Sequence, residues 1–408
     1  MRRDPASFGR LHQSDARRDR RALIWCERAA RFPREAHELC AIGRFRVGLP
    51  HLARKLQRVL HEPIPTFFNP QVTFVKLRSW FTIAAARALL PLMAASALLG
   101  LAAPVPALSE VKVGTSDWTG WVAWYVADQK GFFKKYGADV KLVWFANYSD
   151  SISALSTGQL DANSQTWSDT LGPLSKGLPL KVVLINDNSA GNDALMVGPK
   201  IHAFADLKGH TVALEQYSVS HFVLYTALAR NGLTPKDVKV VNLSAGDAAA
   251  AFMSGRVDTA VVWNPWISQI QKSGKGTPLF TSKDMPGLIP DLLVAQAKTI
   301  QSKRKDLVAM ARAWFDTVAF IQANPDEAVK IMSKVVGMSA EQYKVFLPGT
   351  RFFDAAANLE GFDPQNPHSL VAVEPSVAAF LLSNKLIDGK PDVAAGLDRS
   401  ILDEAVKK

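Results

Sequence analysis

Residues 111–133, VKVGTSDWTGWVAWYVADQKGFF, decide the fold. Val111 and Val113 alternate as in a short strand. The run breaks at Gly114-Thr115-Ser116-Asp117. Trp121, Trp124, Tyr125, Phe132 and Phe133 then recur at roughly helical spacing as far as Gly131. A strand that feeds a helix through a Ser/Asp/Thr turn is the first half of a βα unit, and such turns are where α/β proteins place ligands. One hundred residues on, Thr211–Gly232 (TVALEQYSVSHFVLYTALARNG) repeats the order strand, polar turn, helix, Gly. Asp150, Ala154, Gly158 and Asp161 follow the first copy; Asp247, Ala251, Gly255 and Asp258 follow the second with the same spacing. Trp167 and Trp263 come next in each. One βαβαβ module used twice predicts two similar α/β lobes whose equivalent turns face each other.

The charge is confined to one end. Residues 1–78 hold 17 Lys/Arg against 7 Asp/Glu, which is +10 of the total +11. The remaining 330 residues are near neutral, so a nucleic-acid partner is not expected. Both cysteines, Cys26 and Cys40, also lie in that basic leader. Disulfides, thiolate metal sites and cysteine nucleophiles are therefore not expected in the body. Residues 76–107 read as a secretory signal peptide: Lys76 and Arg78, then the apolar Trp80–Leu101, then small residues at Val105 and Ala107, with cleavage expected after Ala107. Residues 1–75 are a basic leader, either disordered or the product of a start assigned upstream of a true start near Val72 or Val75.

From Leu108 strands and helices alternate. Residues 181–186 read as a strand buried on both faces, from the continuous Val/Leu/Ile run at 182–185. Residues 186–193, NDNSAGND, read as a polar turn. The expected organisation is lobe 1 at 108–198 and 277–408, lobe 2 at 199–276, and a helical tail on lobe 1. Two crossings between lobes make a hinge that bends when a cleft closes on a solute.

The ordered set SDWTGW, DxKGFFKKYG, SALSTGQLDA, DLKGHTVA, SVSHF and AAFMSGRVDTAVVWNPW resembles the nitrate/sulfonate/taurine class of ABC-transporter solute-binding proteins. The resemblance implies an α/β fold of two similar lobes with a double-crossing hinge (periplasmic binding protein type II) plus C-terminal helices. It also implies a periplasmic monomer that captures a small solute and delivers it to an ABC permease and its ATPase, with no cofactor and no catalysis. No Cys stands near the cleavage site, so a lipid anchor is not expected.

Fold and residue chemistry place the ligand at the turns after strand ends. In lobe 1 these are Ser116, Asp117, Trp118, Gln165, Thr166, Asn192 and Asp193. In lobe 2 they are Glu215, Ser218, His221 and Trp263. Ser218 and Asp117 also fit helix N-caps. Trp121 and Trp124 fit the core better than the pocket. Four carboxylates (Asp117, Asp169, Asp193, Glu215) fall at or near strand ends without a Lys or Arg among them. A sulfonate or nitrate needs cationic donors or helix N-terminal amides. Carboxylates beside indole faces suit a compact cation or planar amine. Both ligand classes stay open, as does a thiamine-pyrimidine precursor or a related enzyme. The cysteine-rich motif on which such an enzyme depends is absent from the body.

Overall fold

The computed structural model describes residues 110–407. The expected leader and signal peptide lie outside them. Among the described residues no helix is long and apolar enough to cross a membrane.

Two mixed sheets are present. The first has strands β1 (Val111–Thr115), β2 (Val140–Trp144), β3 (Ala162–Thr166), β4 (Leu180–Ser189), β10 (Pro290–Gln296) and β11 (Thr350–Phe352). Their order is β11-β4-β10-β3-β1-β2. The second has β5 (Asp193–Val197), β6 (Thr211–Leu214), β7 (Lys239–Asn242), β8 (Thr259–Trp263) and β9 (Thr277–Thr281), in the order β7-β6-β8-β5-β9. The two copies of the module are thus β1-β2-β3 and β6-β7-β8, each parallel with its first strand in the middle. Each third strand carries an antiparallel neighbour, β10 on β3 and β5 on β8.

The spacing shared by the two copies has a local cause. The helices Tyr148–Ser156 and Ala245–Met253 carry Asp150 and Asp247 in their first turns, where the helix dipole favours a carboxylate. Both helices end at a glycine with positive φ, +77° at Gly158 and +74° at Gly255. After each glycine the chain turns back on the helix: Gln159 N–H donates to the Ala154 carbonyl and Arg256 N–H to that of Ala251, both at 2.9 Å. This left-handed C-cap fixes the Ala–Gly interval. Asp161 and Asp258 then lead into β3 and β8.

The crossings fall closer to the sheets than expected. β5 and β9 belong to the second sheet, so the chain leaves the first lobe at 190–192 and returns at 282–289, rather than near 198 and 277. The reason is pairing: β5 has β8 on one side and β9 on the other, which buries it completely. Ser282 ties the two crossings together, accepting from Gly191 N–H at 2.6 Å and sharing a 2.8 Å hydroxyl contact with Ser189. Gly191 takes φ +126°, open to glycine alone at little strain. β4 also runs on to Ser189, through the segment read as a polar turn, and that extension places Asp187 inside the sheet.

C-terminal helices pack on the first lobe as expected. Arg304–Ala323 buries Trp314 against Trp124, ring centres 4.6 Å apart. A further helix at Ala355–Gly361 follows β11, and its Asn358 amide brackets Ile185 N–H and C=O on β4.

Candidate functional site

The turns at the ends of β1, β3, β4, β8 and β10 converge where the lobes meet. Trp118, Trp121, Tyr148 and Trp263 form a buried aromatic chain. Neighbouring ring centres lie at 6.4 Å (Trp118–Trp121), 4.8 Å (Trp121–Tyr148) and 6.0 Å (Tyr148–Trp263). Thr166, Val219, Ile289, Asp193 and Asp291 complete the wall. The space left open to the centre of a water-sized sphere is about 10 Å³, room for one water. The aromatic cage is therefore closed.

Carboxylates surround it. Asp187 and Asp291 are register partners on β4 and β10, and Asp291 is also opposite Thr166 on β3. Asp187 accepts from the Trp118 indole at 2.9 Å through one oxygen; among the described residues its other oxygen, and both of Asp291, find no partner apart from each other. One oxygen of Asp193 is unpartnered too, as are both polar atoms of Asn186. Burial pushes Asp193 up to about 7, against a lowering contact with Ser189. Burial, then the charge of Asp187, pushes Asp291 well above the usual carboxylate range, and Asp187 rises for the same first reason, so the pair holds a proton near neutral pH. A β-carbon at Gly120 would overlap the Asp187 carboxylate, so the first turn of Thr119–Val122 lies directly against that group.

Three carboxylates hydrogen-bond across the lobes. Asp117 takes the indole N–H of Trp263 at 2.9 Å on one oxygen and that of Trp266 at 2.8 Å on the other. Desolvation outweighs both donors and lifts it to about 6. Glu215 accepts from Ser149 N–H at 2.7 Å and from Ser149 Oγ at 2.5 Å, at the N-terminus of Tyr148–Ser156. Asp169 accepts from Val219 N–H at 3.0 Å and from Ser168 Oγ at 3.0 Å, and burial raises it to about 6. Among the described residues no Lys or Arg is buried to offset these charges.

The expected site residues divide into groups. Trp118, Thr166, Asp193 and Trp263 line the cage. Asp117 and Glu215 bridge the lobes instead. Ser116 is buried with an unpartnered hydroxyl. Gln165 is spent inside lobe 1, between Asn163 and Thr170. Asn192 holds the crossing: it donates to Phe346 C=O and Thr350 Oγ1 and accepts from Asn264. Ser218 caps Val219–Arg230 through Ser220 N–H, and Ser218 and His221 line a second pocket.

Trp121 packs in the core as expected and also lines the cage. The regular helix breaks at Ala123, between Thr119–Val122 and Trp124–Gln129, and Trp121 faces Tyr148 while Trp124 faces Trp314. Asp187, Asp291 and Tyr148 were not expected. Asp187 stood in an assumed turn, and Asp291 arrives only through the return crossing. Tyr148 carried one sequence signal, its place at the start of the helix after β2.

Comparison with known proteins agrees with this fold. A putative binding protein of Brucella abortus is 26% identical over 231 residues, covering 55% of this chain and 70% of that protein. The taurine-binding periplasmic protein of Escherichia coli is 30% identical over 203 residues, 49% of this chain and 62% of that protein. The alkanesulfonate-binding protein of Xanthomonas axonopodis pv. citri, solved with MOPS, superposes with a TM-score of 0.60 at 18% identity, covering 71% of this chain and 98% of that one. It shares the two-lobed fold. Residues 118–328 match the family described as NMT1/THI5 like, and this chain belongs to that family.

Proposed function

We propose that this protein is the periplasmic solute-binding component of an ABC importer, and that its cleft takes a small organic cation of the guanidinium or amine class. The binding role follows the relatives, several of which are named for taurine, sulfonate or nitrate binding. Periplasmic location, a permease and ATPase as partners, and a non-catalytic role follow them too. The ligand charge rests on one observation: an aromatic cage with unpartnered oxygens of Asp187, Asp193 and Asp291 and no buried Lys or Arg among the described residues. Indole and phenol faces attract a cation by ~0.5–2 kcal/mol each. A buried anion facing these carboxylates, once they ionise, would meet repulsion with no cationic side chain to offset it, only neutral donors such as the Trp121 indole and the Asn186 amide.

With room for one water, the cage as it stands must widen before a guanidinium or methylammonium enters. When a cation enters, the carboxylates ionise beside it, and Asp117 and Asp169 draw the second lobe over the ligand. Ligand specificity then rests on size, since the cage has little spare volume, and on donor geometry toward Asp187, Asp193 and Asp291.

The test is a thermal-shift and titration panel on residues 108–408, refolded after denaturation to strip bound solute. Guanidinium, methylammonium, urea, taurine, an alkanesulfonate, nitrate and a thiamine-precursor pyrimidine are compared at millimolar concentration. Stabilisation by guanidinium or methylammonium with none from the anions supports the reading. Stabilisation by a sulfonate or nitrate overturns it.

A further inference from the structure

The C-terminal helix Leu370–Ser383 belongs to lobe 1 by its anchors and touches lobe 2 near its end. Before it, Asn358 brackets Ile185 on β4. After it, Asp398 N–H donates to Val182 C=O on the same strand at 2.9 Å, and Leu397 forms a bridge with Val182. The helix itself packs on Trp167–Ser175 of lobe 1. In its last turn the Phe380 ring meets Phe222 of lobe 2 edge to face, with ring centres 5.6 Å apart and planes at 83°. That is a favoured geometry for two aromatic rings. Among the described residues two aromatic pairs cross between the lobes, this one and Tyr148–Trp263 in the cage.

Phe222 rides on a helix that moves with lobe 2. Helix Val219–Arg230 gives Val219 N–H to Asp169 of lobe 1, and Phe222, three residues on, lies on the same side of the helix. At the other end Arg230 donates to the Asp284 carbonyl on the return crossing. Phe222 is eight residues, about 12 Å, along the helix from that hinge contact, so a swing of lobe 2 about the crossings carries it away from Phe380. Parting exposes apolar surface. Phe222 is buried as the structure stands, and so is Leu381 of the tail in the same apolar cluster.

Beside the pair the lobes stand apart. The second pocket, of about 570 Å³, opens between them, lined by Ile152 and Ser153 of lobe 1, Gln216 and Tyr217 of lobe 2, and Leu386 and Ile387 of the tail. Phe380 is not part of the cage wall, so its contact is with lobe 2 and not with a solute. We propose that Phe380 is a latch, a positioning residue outside the cage that holds lobe 2 on lobe 1 and so sets the affinity for the solute without touching it. The proposal rests on the closing cleft of the reading above, and not on the charge of the ligand. Loss of one such aromatic pair shifts the open-to-closed ratio by about two- to tenfold. Affinity falls with the closed population.

Two spin labels test it. Ala146→Cys and Ala250→Cys, exposed positions in lobe 1 and lobe 2, carry nitroxides in the full chain with Cys26→Ser and Cys40→Ser. Pulsed electron resonance gives the lobe-to-lobe distance distribution without solute. Phe380→Ala is expected to raise the open population at least twofold with the circular dichroism of the parent. Phe380→Tyr keeps the ring and is expected to match the parent. Phe380→Leu keeps bulk without the ring and is expected to fall between them, so the latch is still read if alanine unfolds the tail. Phe222→Ala added to Phe380→Ala should open the lobes no further, as two halves of one contact. An unchanged distribution in Phe380→Ala, or in Phe380→Leu where alanine does not fold, overturns the proposal. So does a tyrosine variant as open as the alanine one, or additive opening in the double variant. Millimolar guanidinium is then added to every sample. If it closes none of them while the variants still differ, the ligand reading fails and the latch stands. If it closes all of them from equal starting distributions, the latch fails and the ligand reading stands.

Discussion

Asp193→Asn separates a buried, protonated carboxyl from an ionised one. Burial raises Asp193 from 3.8 to about 7 in the folded, unliganded protein. The folded value is above the unfolded one, so the contribution to stability is fully present below pH 4 and is lost as pH rises through 7. The slope is about 1.4 kcal/mol per pH unit across that window, and the integrated loss is roughly 4 kcal/mol by pH 8. Asparagine matches the protonated side chain in shape and does not titrate. The variant should equal the wild type in stability at pH 4 and exceed it by about 3–4 kcal/mol at pH 8, in the absence of ligand. Urea unfolding followed by tryptophan fluorescence at pH 4, 5, 6, 7 and 8 measures the gap. A gap that stays flat from pH 4 to 8 would refute the reasoning, because Asp193 would then be ionised in the folded state and stabilised by something other than a ligand. Guanidinium should remove the wild type's pH sensitivity while doing little for the variant, which has lost a carboxylate that holds the cation.

The same titration predicts proton release. A cation entering the cage lowers Asp187, Asp193 and Asp291 together, so affinity should rise as pH goes from 5 to 8, by up to about tenfold per unit for each proton lost; calorimetry in two buffers of different ionisation heat counts those protons, and a pH-independent constant contradicts it. Trp263→Ala removes one wall of the cage and one donor to Asp117, and should weaken the cation at least ~10-fold, measured by the same titration on a variant that still unfolds cooperatively. Asp117→Ala leaves the Trp263 and Trp266 indoles without their acceptor across the cleft. At about 1.5–3 kcal/mol per charged hydrogen bond, closure should weaken enough that the unliganded radius of gyration grows in small-angle scattering; an unchanged radius means the remaining lobe contacts suffice.

The repeat was legible because it is built from local chemistry. A helix that begins with an acid, buries an alanine and stops at a left-handed glycine leaves the same spacing wherever it occurs, and Asp150–Asp161 and Asp247–Asp258 carry it twice. Trp118 and Trp263 were legible for a similar reason, since each stands where a strand ends. What the local pattern did not carry was partnership across the chain. Asn186-Asp187-Asn188 has the composition of a turn, and only the pairing of β4 with β10 and β11 makes it strand. Trp121 and Trp124 are both apolar at helical spacing; the break at Ala123 and the position of Tyr148 give one a place in the cage wall as well as the core and leave the other in the core alone. Gln165 and Asn192 look like ligand contacts in sequence because a strand-end amide suits that role, yet both are taken up by neighbours distant in the chain.

The hinge and the charge cluster are made from the same few residues, which bears on how closure and binding are linked. Asp187 lies three residues before the first crossing, Asp193 directly follows it, and Asp291 is the second residue of β10, just after the return crossing. Ser282 fastens the two crossings between them. Mutual repulsion of three ionised carboxylates in this place would act on the hinge itself, and protonation or a bound cation removes it. Charge compensation at the cage is thus also the condition for the two crossings to lie side by side. On the proposed reading a bound cation supplies that compensation above pH 7, where the carboxylates ionise, whereas below it protonation alone suffices.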